Sequence, residues 1–273
     1  MQTIDQHFVI QQVRQVGASL RDTFSQLQPA IEWADVMAAF RRIDGAASQR
    51  LKDKLATAYP GIGWLDGELD GAEAWQNART GAFWACDAID GAVQYLRAIP
   101  QWCISLTLVE QGQAVFAAIF DVMHDELFHA AAGGGAYLNG RAIQVNARSS
   151  HVGSVLASSQ PPFVTSDANA IAMAGRSLSA LLADAFAVRN LGPTSLQLAY
   201  VACGRLDGFW EYGEDTFNCL GGSLLVREAG GNCTDVHGAP YGLQADSVVA
   251  ASAVVHQGML RRLADLSTSP QPA

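Results

Sequence analysis

Two aspartates three residues apart, Asp87 and Asp90, are the side chains best placed to do chemistry in this 273-residue chain. They follow a predicted strand at 83–86, and Gly91 comes directly after them. This spacing can aim both carboxylates and the backbone carbonyl of Ile89 at one point. Such oxygen ligands suit Mg²⁺, which binds few protein carboxylates and keeps room for water and phosphate oxygens. Asp and Gly are also common in solvent-exposed turns, so the spacing alone leaves both interpretations open.

A second segment near the carboxyl end strengthens the metal interpretation. Residues 217–227 resemble a helix, and Glu228-Ala229-Gly230-Gly231 closes it. With residues 86–91, this segment resembles the two signature motifs of the inositol monophosphatase family of Mg²⁺-dependent phosphomonoesterases. Those motifs are Trp-x-x-Asp-Pro-Ile-Asp-Gly-Thr, and Trp-Asp-x-Ala-Ala-Gly followed by apolar residues and Glu-Ala-Gly-Gly. The resemblance runs without a gap from residue 189 to residue 231 and extends from about residue 44 to the last predicted helix.

The resemblance implies that two or three Mg²⁺ ions hold a phosphate ester and activate a water for in-line attack. It implies that Asp87, the carbonyl of Ile89 and Asp90 are metal ligands, and that Mn²⁺ can replace Mg²⁺. Asp44 corresponds to a family aspartate that orients the water, although a helix-capping aspartate is an equally good interpretation. Glu211 corresponds to a position that contacts the substrate polyol. The predicted substrate-binding residues are Asp90, Gly91, Ala92, Gly192 and Glu211.

Several positions depart from the family pattern. Asn218 stands where the family has an aspartate that bridges to the second metal, and Ala92 replaces a threonine that supports the nucleophilic water. In the stretch before the first motif, which is predicted to be irregular, the family's glutamate ligand aligns with Gly67, and a shift of the alignment by one residue could bring Glu68 or Asp66 to the metal. The predicted metal ligands are therefore Glu68, Asp87, Ile89, Asp90 and Asn218, and the predicted catalytic residues are Asp44, Asp87 and Asp90.

The change to Asn218 has the largest expected consequence. Losing one negative charge about 4 Å from a cation removes roughly 4 kcal/mol per unit of cation charge at an effective dielectric near 20. Asp215, Glu214 and Asp207 are acidic neighbours that could compensate for this loss. For Asp215 the preferred interpretation is the N-cap region of the same helix, where acidic side chains are favoured. We therefore predict a phosphomonoesterase of weakened or altered activity on a polyol or sugar phosphate. The alternative is a catalytically degenerate member that binds a phosphorylated ligand or a protein partner.

Composition narrows the class of protein further. A formal net charge of −9 argues against direct binding of nucleic acid. No stretch is apolar enough to span a bilayer, and the first residues do not have the pattern of a signal peptide. Five cysteines without a Cys-x-x-Cys spacing predict reduced, mostly buried thiols. We expect a cytoplasmic protein that acts on a small molecule, and the family resemblance implies a homodimer.

The predicted elements give an α/β (α+β) fold of layered helices and sheets. We predict an N-terminal half at 1–150 with an antiparallel sheet, a C-terminal half at 151–266, and a disordered tail at 267–273. Asn139-Gly140 predicts a type I′ hairpin, and residues 61–81 are interpreted as irregular. The predicted helices are 8–26, 45–58, 168–183, 195–203, 216–229 and 255–266, and the predicted strands are 83–86, 102–110, 114–121, 126–131, 154–158, 187–190 and 247–251.

Overall fold

The structure is a computed structural model that describes residues 3–26, 33–65, 80–162 and 165–268. In these ranges the strands form two separate sheets. The helices are α1 (Gln6–Ser25), α2 (Trp33–Ala58), α3 (Ala92–Leu96), α4 (Ala168–Leu182), α5 (Thr194–Ala202), α6 (Thr216–Glu228) and α7 (Ala253–Thr268). The strands are β1 (Gly63–Leu65), β2 (Ala82–Asp90), β3 (Cys103–Glu110), β4 (Gln113–Asp121), β5 (Glu126–Ala131), β6 (Ala136–Leu138), β7 (Arg141–Ile143), β8 (Val155–Ser158), β9 (Ala187–Arg189), β10 (Gly208–Tyr212), β11 (Asn232–Thr234) and β12 (Ser247–Ala251).

The first sheet contains β1 to β7 in chain order. Neighbouring strands in this sheet run antiparallel, except β1 and β2, which run parallel to each other. Asn139 and Gly140 join β6 to β7 with φ angles of 48° and 77°, as the predicted type I′ turn requires. The central strands β3 and β4 are almost continuously buried because helices cover both faces: α1 and α2 pack on one face and α6 on the other.

The second sheet has the order β11-β12-β10-β8-β9. Strands β8, β9 and β10 run parallel, whereas β11 and β10 each pair antiparallel with β12. Helices α4 and α7 cover one face of this sheet. Helices α5 and α6 share one apolar cluster with strands of both sheets, so they form the layer between the sheets. The amino-terminal end of α5 meets the end of β2 at Asp90, and Ser195 links α5 to the first turn of α6 at Asn218.

Three predictions of secondary structure were wrong, and three short elements were not predicted. Strand β1 lies in the stretch predicted to be irregular, because it extends the edge of the first sheet beside β2. Helix α2 begins at Trp33 and continues through Gly45, so Asp44 lies inside it and does not cap it. Helix α7 continues to Thr268, past the predicted start of the tail, and residues 269–273 lie outside the described ranges. The short elements α3, β10 and β11 were not predicted.

Residue 150 falls between β7 and β8, so each sheet is built from one side of that boundary. The division into two halves at this residue stays a prediction. Four of the five cysteines are buried, as expected, and Cys203 is half-buried. In the part of the chain that the structure describes, none of the helices combines the length and the apolar character needed to cross a membrane.

Gly222 sets the distance between α5 and α6. A β carbon built on Gly222 would overlap the Leu198 side chain, and both residues are buried. We expect Gly222→Ala to lower the free energy of unfolding in urea by about 1–3 kcal/mol, because the two helices must separate. Gly175→Ala in α4 is the matched control, since its β carbon meets nothing within 4 Å. The control should gain up to about 1 kcal/mol from helix propensity, and a similar gain for Gly222→Ala would contradict the close packing.

Candidate active site

A β-bulge near the end of β2 aims the two aspartates. Asp87 pairs with Ser105 and Asp90 pairs with Cys103, so two residues of β2 lie opposite the single residue Ile104. Residues three apart in a regular strand point to opposite faces of a sheet. Ser105 and Cys103 are two apart and share a face, so their partners Asp87 and Asp90 also share one. The bulge therefore brings both predicted carboxylate ligands to the same side of the sheet.

The two carboxylates are held differently. Asp87 is half-buried, and its Oδ1 accepts a hydrogen bond of 2.9 Å from the backbone N–H of Ile89. Asp90 is only 6% exposed, and its Oδ2 accepts a hydrogen bond of 2.8 Å from the backbone N–H of Ser195. Ser195 lies in the first turn of α5, where the helix dipole favours a negative group. Helix α5 thus fixes the Asp90 carboxylate at the end of β2.

Ser195 also connects Asp90 to α6. Its hydroxyl donates to the backbone carbonyl of Asn218, with an Oγ–O distance of 3.0 Å. The Asn218 amide Nδ2 donates to Asp215 Oδ1 over 2.9 Å. Asp215 occupies the N-cap position of α6, as predicted, but its side chain makes no capping hydrogen bond and accepts from Asn218 instead. The Asn218 amide oxygen consequently faces away from Asp215.

Asp215 also belongs to a buried cluster of titratable side chains. Ligand atoms of Glu211, Asp215 and Cys219 lie within 4.8 Å of one another, and all three residues are buried. Glu211 Oε2 accepts a hydrogen bond of 3.2 Å from the Thr194 hydroxyl. Burial raises the pKa of Glu211 well above its usual value, and the neighbouring charges of Asp215 and Asp90 raise it further. Glu211, predicted to contact the polyol, is only 2% exposed. It therefore holds its proton to higher pH than an exposed glutamate does.

The raised pKa of Glu211 gives a pH dependence with a definite sign. Above the unfolded pKa of about 4.3, the unfolded chain releases a proton that folded Glu211 retains, so this group costs stability as pH rises. Glu211→Gln should therefore lose less free energy of unfolding than the natural protein between pH 5 and pH 8 in EDTA. Urea unfolding at both pH values checks this. Glu214→Gln at an exposed neighbouring position is the control, and parallel losses for Glu211→Gln and the natural protein would contradict the prediction.

The remaining predicted site residues occupy the same region or lie outside the described ranges. Asp44 is half-buried in α2, and it raises the pKa of the Cys86 thiol together with Asp87, after the larger effect of burial. Asp44 is thus close enough to act electrostatically on the end of β2. Ala92 is the first residue of α3 and is half-buried. Residues 66–68, which contain Glu68 and its alternatives, lie outside the described ranges.

The donor chemistry of the site fits Mg²⁺. Asp87, Asp90 and Asn218 supply carboxylate and amide oxygens, which a hard cation prefers. Cys219 does not convert the site into one for a soft metal, because burial, with Asp215 and Glu211, raises the pKa of its thiol well above the usual value. A cation would also relieve the repulsion among the buried carboxyl groups.

The sequence did not reveal the roles of Ser195 and Thr194. Both lie in the first turn of α5, directly after Pro193. A proline before a predicted helix marks a helix start, and helix starts present N–H groups to anions. That signal was present in the sequence, but the approach of this helix to Asp90 depends on how the two sheets pack around it.

Comparison with known proteins gives a consistent result. The sequence model of the Inositol monophosphatase family matches residues 3–268. The chain is 32% identical over 254 residues to an inositol-1-monophosphatase of Mesorhizobium japonicum, covering 93% of each protein. It is 41% identical over 197 residues to the Nus factor SuhB of Xylella fastidiosa, covering 72% of this chain and 69% of that protein. A crystal structure of the extragenic suppressor protein SuhB from Bartonella henselae superposes with a TM-score of 0.79 at 28% identity, covering 94% of this chain and 98% of that one. The predicted layered fold of helices and sheets is confirmed.

Proposed function

Because the chain belongs to the inositol monophosphatase family, we propose that it hydrolyses a phosphate monoester of a small polyol or sugar with Mg²⁺ as cofactor. The observation that carries this proposal is the β-bulge, which places Asp87 and Asp90 on one face beside the start of α5. Two relatives at 32% identity are named inositol-1-monophosphatase. We further propose that turnover is slower than in family members with a complete set of acidic ligands.

Each residue would have a defined task. Asp87, the carbonyl of Ile89 and Asp90 would hold the first cation, and Glu68 and Asn218 would complete the metal site. Bound Mg²⁺ supplies Lewis-acid activation of the ester and of the attacking water. Asp44 would orient that water from α2. Ala92, which follows Asp90 and Gly91 in the first motif, has no hydroxyl to support the attacking water. A group that aids proton transfer typically contributes about 10²-fold to the rate, and this contribution is missing here.

The hydrogen bond between Asn218 and Asp215 limits the loss of affinity at the second cation site. A neutral amide oxygen binds Mg²⁺ less strongly than a carboxylate, because it lacks a full negative charge. The Asp215 carboxylate accepts from the amide nitrogen over 2.9 Å, which polarises the amide toward its oxygen. The Asp215 carboxylate therefore makes the Asn218 amide oxygen more negative, which replaces part of the charge of the missing aspartate. We expect a weakened second site that fills at higher Mg²⁺ concentration.

The proposal is tested by phosphate release from inositol 1-phosphate over a range of Mg²⁺ and Mn²⁺ concentrations, with EDTA as the metal-free control. Metal-dependent release that stops in EDTA is the expected result, since the described donors are oxygen atoms suited to these cations. Sugar phosphates tested in parallel define the substrate class. Absence of metal-dependent release from every ester would contradict the proposed activity.

A second candidate function is binding without catalysis. It is favoured by the change at two catalytic positions, Asn218 and Ala92, and by relatives that are named Nus factor SuhB. In that case the scaffold would bind a phosphorylated ligand or a protein partner. An inactive natural protein whose Asn218→Asp, Ala92→Thr double variant gains turnover would support this second function. Turnover by the natural protein would exclude it as the sole role.

The oligomeric state and location are part of the same proposal. Family membership favours a homodimer, which light scattering of the purified protein can test. A cytoplasmic location and the absence of direct nucleic-acid or membrane binding also stay predictions. The net charge of −9 supports the expected lack of nucleic-acid binding.

A further inference from the structure

Two loops close on each other at the edge of the candidate site: the loop that follows β2 and the loop that precedes α5. Their first contact is the hydrogen bond of 2.8 Å from the Ser195 N–H to Asp90 Oδ2. The second is the packing of Gly91 against Pro193, where an added β carbon on Gly91 would lie 2.8 Å from Pro193 Cγ. Gly91 also has a φ of 100°, which favours glycine.

The third contact brings Gln94 onto Gly192. A β carbon built on Gly192 would overlap the Gln94 amide nitrogen and would lie 2.5 Å from Gln94 Cδ. Gly192 has a φ of 97°, so glycine is required there both by the backbone conformation and by the neighbouring carboxamide. The Gln94 carboxamide therefore rests directly against the Gly192 backbone. Gln94 is half-buried, so part of its side chain is open to the solvent.

The Gln94 side chain is carried by a rigid element. Its neighbour Tyr95 is fully buried, and its ring packs edge-on against Trp102 with centroids 4.9 Å apart. Phe24 of α1 adds a ring contact to Tyr95 with centroids 5.3 Å apart. The Tyr95 hydroxyl donates to the Leu20 carbonyl over 3.3 Å. These contacts fix α3, so the position of Gln94 relative to Asp90 is set by packing.

The backbone N–H of Gly192 already has a hydrogen-bond partner. The Gly192 N–H donates to Asn190 Oδ1 over 3.0 Å, inside its own turn. The resemblance assigned Gly192 to substrate binding, yet the polar group that covers it is the Gln94 carboxamide. A carboxamide both donates and accepts hydrogen bonds and carries no charge. It matches a hydroxyl group better than a second phosphate.

We propose that Gln94 is a specificity-determining residue, whose carboxamide binds a hydroxyl of the alcohol released from the phosphate ester. This inference rests on the proposed function and adds to it a residue that distinguishes polyol esters from esters of other alcohols. The preferred ester is one whose alcohol carries further uncharged hydroxyl groups. An ester whose alcohol has no other hydroxyl gains nothing from Gln94.

The test compares two esters and two variants. Inositol 1-phosphate has hydroxyl groups beside the ester, whereas phenyl phosphate has none. Gln94→Leu should raise KM for inositol 1-phosphate about tenfold, the size of one net hydrogen bond, with a smaller change in kcat. Its kinetics on phenyl phosphate should change less than about twofold, within the effect of a neutral surface substitution. Gln144→Leu, at an exposed glutamine after β7, is the control and should alter neither ester.

Gln94→Asn is the second variant, because it keeps a carboxamide but withdraws it by one carbon. It should lose the same preference for inositol 1-phosphate while folding like the natural protein in a thermal melt. Equal KM increases for both esters, or no change for either, would overturn the role of Gln94. A purely structural role would change both esters together.

Failure of the proposed activity is separated from failure of this inference by a binding measurement. If the natural protein hydrolyses neither ester, calorimetric titration of both esters in Mg²⁺ decides the role of Gln94. Weaker binding of inositol 1-phosphate to Gln94→Leu than to Gln144→Leu, with phenyl phosphate unchanged, supports it. Equal binding, or no binding of inositol 1-phosphate to the natural protein, overturns it.

Discussion

Asp87→Asn is expected to lower Mg²⁺-dependent phosphate release about 10³-fold. The substitution removes one negative charge from the proposed first cation site. At about 4 Å and an effective dielectric near 20, that charge is worth roughly 4 kcal/mol per unit of cation charge, or about 8 kcal/mol for Mg²⁺ before solvent compensates. If solvent offsets about half of this energy, the remaining ~4 kcal/mol corresponds to about 10³-fold, because each 1.4 kcal/mol is a factor of ten. The measurement is phosphate release from inositol 1-phosphate at saturating Mg²⁺.

We expect the substitution to leave the local fold intact. The hydrogen bond that Asp87 Oδ1 accepts from the Ile89 N–H, at 2.9 Å, can be kept by the amide oxygen of asparagine. We therefore expect the free energy of unfolding in EDTA to stay within about 0.5 kcal/mol of the natural value. Asp22→Asn, on the exposed face of α1, is the matched control and should keep full turnover. Undiminished turnover by Asp87→Asn would remove Asp87 from the mechanism.

Asn218→Asp is expected to have opposite effects on stability and on metal binding. Without metal, it replaces the hydrogen bond to Asp215 by two buried carboxylates in contact. We expect the free energy of unfolding in EDTA to fall by about 2–4 kcal/mol, since like charges repel strongly when buried. With Mg²⁺, the added charge should raise turnover at limiting metal concentration about 10²-fold. Urea unfolding and Mg²⁺ titration of activity measure the two effects.

An exchange variant separates charge from packing. Asp215→Asn combined with Asn218→Asp keeps one carboxylate and one amide in the buried pair, but it moves the charge to position 218. This variant should regain most of the stability lost by Asn218→Asp in EDTA. It should also keep the raised activity at limiting Mg²⁺. If Asn218→Asp leaves the Mg²⁺ dependence unchanged, position 218 does not contact the second cation.

The sequence predicted the pair Asp87 and Asp90 but not the strand geometry that puts both carboxylates on one face of the sheet. Residues three apart on a strand normally diverge, and only the pairing with β3 shows the bulge that brings them together. Pairing between strands depends on long-range contacts, which local spacing does not encode. Asp44 illustrates the same limit, because the length of α2 is decided by its packing against α1 and β2 rather than by Gly45, which costs a helix only about 1 kcal/mol.

The second half of the site was less predictable from the chain. Asp215 was correctly placed at the start of α6, but its contact with Asn218 is a property of side-chain positions in the folded protein. Glu211 is buried because β10 lies against the first turn of α5, where the Thr194 hydroxyl donates to the Glu211 carboxylate. The proposed role of Gln94 depends on the approach of Gly192, which is far from it in sequence. Pattern-based prediction identifies residue types, whereas these contacts arise from tertiary packing.

The most direct measurement is the Mg²⁺ activation curve of inositol 1-phosphate hydrolysis for the natural protein beside Asn218→Asp. If the natural protein is an enzyme with a weakened second cation site, both proteins release phosphate, and Asn218→Asp reaches half of its maximal rate at a Mg²⁺ concentration at least about tenfold lower. Release by Asn218→Asp but none by the natural protein at any Mg²⁺ concentration would contradict the proposed activity and favour a binding role.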